Sequence, residues 1–204
     1  MTTQAFGNVY DKRRPRDPLT RMVIRNFVHR VCGLIEGLPA RSILDVGCGD
    51  GWLTAHLLKA QPRASLHVVD ISPSLISLAG DLPSTVKRVV AAAEHLPFCA
   101  EAFDVVVASE VLEHLTQPSV SLREINRVTS RYALLTVPYE PFWSLGNLLV
   151  GRHLKTLGNT PGHLHRWDRR GLLRLLGSQF TLVASRIALP WLVVLAVKTR
   201  ESDR

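Results

Sequence analysis

The chain has 204 residues, 46% hydrophobic and 21% charged, an ordinary globular composition that supports one sizeable core and is short for two. Cys32, Cys48 and Cys99 are odd in number and far apart, which excludes a disulfide framework, shows no zinc-ligand spacing and fits a reducing cytoplasm. Met1–Arg16 is too polar for a signal peptide, and the longest apolar run, Ile187–Val197 with Pro190 inside it, falls far short of the roughly 20 residues of a membrane span.

The net charge of +8 is unevenly spread. Residues 1–41 carry eight Lys/Arg against three Asp/Glu, residues 42–137 seven against ten, and residues 138–186 seven against two. A mildly acidic middle therefore lies between two basic flanks.

Pro18–Ile35 has helical periodicity, with Leu19, Met22, Val23, Phe27, Val31 and Leu34 on roughly one face. Ser42–Val46 is a short apolar strand ending in glycines, and a helix over Asp50–Lys59 begins there. Leu66–Asp70 is a β-branched strand ending in an acid. Ser72 caps a short helix over Pro73–Ala79, with Pro73 at its first position. Val86–Ala91 and Phe103–Ala108 are the third and fourth strands, Ser121–Val128 is a helix, and Tyr132–Val137 is the fifth strand. Near-continuous apolar strands alternating with helices predict a parallel sheet buried on both faces.

The rhythm breaks over residues 138–167, which hold prolines, glycines, aromatics and three histidines, with a short helical pattern only near Trp143–Val150. That length exceeds an ordinary connection and predicts a functional insertion. Asp168 then caps a helix over Arg169–Leu176, and Phe180–Ile187 and Trp191–Val197 pair as an antiparallel hairpin at the sheet edge. The whole chain, 1–204, is expected to be a single domain, with 1–40 as an N-terminal helical lid segment and 138–167 as an acceptor-side insertion.

Ile43-Leu-Asp-Val-Gly-Cys-Gly-Asp-Gly51 runs a buried strand into three alternate glycines and a helix start. Such a turn lets a ligand approach the backbone without meeting a Cβ and faces free N–H groups towards it. The third glycine of a G-x-G-x-x-G loop is missing, because Trp52 or Thr54 stands there, and GxxxxGK[ST] is absent; dinucleotide and P-loop readings therefore fail. Asp70 ends the next strand, where an acid can accept two hydrogen bonds from a ribose diol.

The D-x-G-x-G-x-G pattern at Asp45, Gly47, Gly49 and Gly51 resembles the class I, Rossmann-like S-adenosylmethionine-dependent methyltransferases of small-molecule type. Ala91–Phe98 is similar to the family's adenine-binding turn, although Ala92 stands where many members have Asp. Phe103–Leu115 resembles the segment carrying strand four and the methyl-donor end. The resemblance implies an α/β fold with a doubly wound, seven-stranded, mostly parallel sheet, an antiparallel terminal hairpin, and helices on both faces. It implies S-adenosyl-L-methionine as cofactor, held by Asp45, Gly47, Cys48, Gly49, Gly51, Asp70, Ile71, Ala93, Glu94, Ser109 and Glu110.

The implied reaction is methyl transfer to O, N or C of a small-molecule acceptor in specialised metabolism. If a base is needed, His114, His163 and His165 are the catalytic candidates. In Gly162–Trp167 the two histidines alternate, so an extended segment points both one way. Two imidazoles need a third ligand to hold a metal, and the local sequence offers none, so no metal is expected. The two basic flanks supply the acceptor-side candidates: Tyr10, Arg14, Tyr139, Trp143, Arg152 and Arg166. Aromatics beside cations suit a partly apolar acceptor with negative charge. A nucleic-acid acceptor is disfavoured, because no RNA-binding module is visible and aromatics are only 6%. Two other readings stay open: an RNA methyltransferase, and a non-catalytic partner subunit that binds the cofactor. Oligomeric state is not legible.

Overall fold

The computed structural model describes residues 17–149, 151 and 153–199. Strands β1 (Ser42–Val46), β2 (Ser65–Asp70), β3 (Lys87–Val90), β4 (Phe103–Ser109), β5 (Thr129–Pro138), β6 (Phe180–Ala188) and β7 (Trp191–Lys198) form one sheet in the order β3-β2-β1-β4-β5-β7-β6. The first five run parallel, and β7 is antiparallel to both its neighbours, β5 and β6. The helices are α1 (Pro18–Ile35), α2 (Trp52–Ala60), α3 (Pro73–Leu78), α4 (Pro118–Val128), α5 (Phe142–Leu149) and α6 (Arg169–Leu176).

Alternation along the strands divides the core into two layers. Ile43, Val68, Val105, Val107 and Leu134 pack on the side of α1 and α2. Leu44, Val46, Val106, Ala108, Ala133 and Leu135 pack with Leu122, Ile125, Leu172 and Leu176 of α4 and α6. Apolar cover on both faces is why the parallel strands are continuous hydrophobic runs.

The expected caps are present. The Ser72 hydroxyl accepts from the Leu75 N–H, and the Asp168 carboxylate accepts from the Gly171 N–H at 2.6 Å. The Asp17 carboxylate does the same for α1, accepting from the Thr20 N–H at 2.7 Å. Helix α1 spans the expected residues, and Val23, Phe27, Val31 and Leu34 of the expected stripe pack inward. Ile24, Phe27, Val31 and Ile35 are buried, whereas Leu19 and Met22 are 65% and 61% exposed. The buried set follows i, i+3, i+7, i+11, which shifts the centre of the stripe from Leu19 and Met22 towards Ile24 and Ile35. Over these residues the proposed lid segment is a layer of the core. The Gln61 side-chain amide fixes its end by donating to the carbonyls of Ile35, Glu36 and Leu38.

Strand β1 lies between β2 and β4, so successive connections leave it in opposite directions. In an open α/β sheet, that reversal opens a crevice beyond the carboxyl ends of the strands.

Candidate active site

The loop after β1 lines this crevice. Gly47, Gly49 and Gly51 all have positive φ (69°, 56° and 78°). The N–H groups of Gly47 and Cys48 donate to the Val69 carbonyl at 2.7 and 3.0 Å, which ties the loop to β2. The Asp70 carboxylate accepts from the Gly49 N–H through Oδ2 and from the Ser72 N–H through Oδ1, each at 2.9 Å. Glycine loop and strand-end acid are thus one hydrogen-bonded unit, with Asp70 only 8% exposed. A Cβ on Gly47 would lie 2.4 Å from Val111 Cγ2, whereas one on Gly49 would meet no heavy atom within 4 Å. The open side of the loop is therefore at Gly49, beside Asp70. A group with a ribose diol and an extended chain fits such a cradle: a carboxylate fixed at its rim, and a backbone that lets a ligand come close.

Asp45 lies deeper. Its carboxylate accepts from the Thr54 hydroxyl at 2.6 Å and joins β1 to α2. Burial raises its pKa to about 7 against the lowering effect of that bond, and the nearby Asp70 charge adds to the rise. Cys48 is buried, its sulfur directed at the Gly49 carbonyl, and burial pushes its thiol far up. Ile71 is 71% exposed beside Asp70. Ala93 is buried and Glu94 half-buried, in the turn after β3.

The second wall is the end of β4. The Ser109 hydroxyl bonds that of Thr136 at 2.8 Å. Glu110 has φ +57°, uncommon for a non-glycine residue; its N–H donates to the Thr136 carbonyl, and its carboxylate accepts from the Trp191 indole N–H. A short 3-10 turn over Leu112–His114 follows. Its Glu113 is 1% exposed.

The segment 138–167 folds back on this turn. The N–H groups of Leu164 and His165 both donate to the Glu113 carbonyl, at 2.7 and 3.2 Å. His114 Nδ1 meets the Gly162 carbonyl at 3.0 Å, and His165 Nε2 meets the Leu115 carbonyl at 3.0 Å. The His163 ring lies 4.9 Å from that of His114 and 5.8 Å from that of Trp143. Burial, then the neighbouring His114, lower the His163 pKa to about 4. His163 and His165 both turn to the 113–115 strip, as the alternation predicted, but engage different partners: His165 stacks on Trp167.

The acceptor-side candidates divide. Tyr10, Arg14 and Arg152 lie outside the described residues. The Tyr139 ring is 5.3 Å from that of Phe142. Trp143 is buried and gives its indole N–H to the Thr160 hydroxyl at 2.9 Å, so it forms a floor rather than an open contact. Arg166 faces Glu140 at 3.9 Å.

Thr54 and Trp191 are site-forming residues that sequence reasoning did not single out, and Glu113 entered it only as the end of the stretch beside the methyl-donor end. For Glu113 a signal existed, an acid directly beside a histidine just past the end of a strand. The fold brings it and His114 to His163 across about 50 positions, while His165, the other imidazole of the sequence pair, turns to the Leu115 carbonyl. Glu113, His114 and His163 place one donor atom each within 4.8 Å of one another.

Residues 44–136 match the family described as "Methyltransferase domain". The chain is 37% identical over 140 residues to a malonyl-[acyl-carrier protein] O-methyltransferase of Herminiimonas arsenicoxydans, covering 69% of this chain and 49% of that one. It is 31% identical over 154 residues to a ubiquinone biosynthesis O-methyltransferase of Azorhizobium caulinodans, covering 72% and 59%. The chain spans about half the length of the curated relatives it matches. Among solved structures, magnesium protoporphyrin IX methyltransferase from Synechocystis PCC 6803 with bound SAH superposes with a TM-score of 0.65 at 16% identity, covering 91% of this chain and 90% of that one.

Proposed function

Since the chain belongs to the class I S-adenosylmethionine-dependent methyltransferases, we propose that it methylates an oxygen of a small, partly apolar acceptor. The observation that carries this reading is the Asp70 carboxylate, fixed by the Gly49 N–H at the rim of an open glycine cradle. Asp70 would take the ribose hydroxyls, and Gly47–Gly51 with Cys48 the amino-acid end of the cofactor. Ile71, Ala93 and Glu94 would flank the adenine. When bound, the cofactor supplies an electrophilic methyl group on a sulfonium sulfur. The chain's own work is then to hold the acceptor oxygen in line and exclude water.

Ser109, Glu110 and the 113–115 turn stand at the end of β4, where the acceptor would meet the cradle. His163, packed against His114 of this turn, suits a role in orienting an acceptor hydroxyl. The relatives named above are both O-methyltransferases, which favours oxygen over nitrogen or carbon. Leu145, Leu149, Leu154, Leu157 and Leu164 are exposed on the insertion beside this turn, which favours an acceptor with an apolar part.

Calorimetric titration of S-adenosylmethionine and S-adenosylhomocysteine into the wild type and Asp70→Ala tests the reading. Loss of a charged hydrogen bond is expected to weaken binding by roughly 1–3 kcal/mol. Wild-type protein that is folded, by its melting transition, yet binds neither compound would overturn it.

A further inference from the structure

We infer that Glu113, His114 and His163 form a binding site for a divalent transition-metal cation, with Glu110 at its edge, and that this cation holds the acceptor hydroxyl. The inference rests on the methyltransferase reading for the identity of the acceptor, but the metal site itself stands on geometry.

The donor set comes from two chain segments 50 residues apart, and the fold fixes both against each other. Three hydrogen bonds do this: Leu164 N–H and His165 N–H to the Glu113 carbonyl, and the His114 ring Nδ1 to the Gly162 carbonyl. A carbonyl can only accept, so Nδ1 carries the hydrogen of that bond, and Nε2 is left as the lone-pair nitrogen of the ring. Metal-bound histidines are oriented by this kind of outer hydrogen bond.

The three donor atoms lie within 4.8 Å of one another. Bonds of about 2.0–2.2 Å to a common cation require donor separations of about 3.0–3.5 Å. Closing on a cation would bring the Glu113 carboxylate and the two rings together by up to about 1–2 Å. Glu110 is close enough to act electrostatically on His163, and its left-handed backbone turns it out of the strand direction.

Two imidazole nitrogens with a carboxylate favour manganese, iron, cobalt or zinc over calcium. Such a set leaves coordination positions for the acceptor. A hydroxyl bound there has its pKa lowered and releases its proton to water, which leaves the oxygen lone pair ready for the methyl group. The acceptor class is therefore a hydroxyl compound, best a pair of adjacent hydroxyls that can take two positions at once.

The test uses the untagged 204-residue chain freed of metal with a chelator, titrated with Co²⁺ and followed by its visible absorption, and with Mn²⁺ followed by electron paramagnetic resonance. Wild type should bind one equivalent. Glu113→Gln and the near-isosteric His163→Asn should each weaken binding tenfold or more, with S-adenosylmethionine affinity changed less than about threefold. Failure of folded wild type to bind either ion at millimolar concentration, or equal binding by both variants, would show a packed histidine pair and overturn the inference. Cofactor binding without metal binding would defeat the metal site alone. Absence of both would defeat the methyltransferase reading as well.

Discussion

Gly47 and Gly49 share a motif and a left-handed backbone, yet the space around them differs. Alanine at either position carries roughly 1–2 kcal/mol of left-handed strain. At Gly47 the added methyl also overlaps Val111, which is buried, and overpacking adds about 1–3 kcal/mol. Gly47→Ala should therefore lower stability in urea by about 2–5 kcal/mol, mostly through the fold. At Gly49 the methyl enters open space beside Asp70. Gly49→Ala should stay within about 2 kcal/mol of wild type in urea yet lose cofactor affinity tenfold or more by calorimetry. The reverse ranking would mean that the ligand side of the loop has been misassigned. The glycines and Asp70 were legible in the sequence because a backbone requirement leaves a mark on residue type. The Asp45–Thr54 clasp was not, since a threonine nine residues on has no pattern that announces it.

At the scale of the element, a line of rings joins α1 to the site. Phe27 lies 4.7 Å from Trp191, Trp191 5.7 Å from Trp143, Trp143 5.8 Å from His163, and His163 4.9 Å from His114. Trp191 also donates its indole N–H to Glu110. Phe27→Ala removes the base of this line from a fully buried position and should cost about 3–5 kcal/mol in chemical denaturation. Met22→Ala, on the same helix but exposed, should fall within about 0.5 kcal/mol of wild type. Equal effects would contradict the observed helix face. Periodicity located α1 and most of its packed stripe, Val23, Phe27, Val31 and Leu34, but added Leu19 and Met22, which are as apolar as the residues that pack and stay exposed. Only the neighbours, β6, β7 and α2, decide which stripe is covered. The insertion shows the same limit. Its aromatics and histidines marked it as unusual, but its hydrogen bonds to the 113–115 strip join residues about 50 apart and leave no local trace.

Across the whole molecule, periodicity yields strands but not their neighbours, and the resemblance gave their number and direction; the order β3-β2-β1-β4-β5-β7-β6 is seen in the structure. That order places Asp45 at the centre of the sheet, where the chain keeps a carboxyl group fully buried. Burial raises its pKa from 3.8 to about 7, with the Thr54 bond opposing and the Asp70 charge assisting. Between these two values the native state holds a proton that the unfolded chain has released, so this group's contribution to stability falls as pH rises through that window. Above about pH 7 the full penalty of the buried charge is present. Asparagine at this position keeps the shape and can still bond Thr54, but it has no proton to lose. Asp45→Asn should therefore gain on the wild type steadily from pH 4 to pH 7, by about 2–4 kcal/mol in all, because one proton held only by the native state is worth roughly 1.4 kcal/mol for each step of one in pH. Urea denaturation of both proteins at half-unit pH intervals measures the difference directly, and groups that titrate alike in the two proteins cancel. A difference that stays constant from pH 4 to pH 7 would mean that Asp45 is ionised throughout. The Asp45–Thr54 clasp would then be a charged one, and the carboxylate of the D-x-G-x-G-x-G loop would carry its charge before any cofactor arrives.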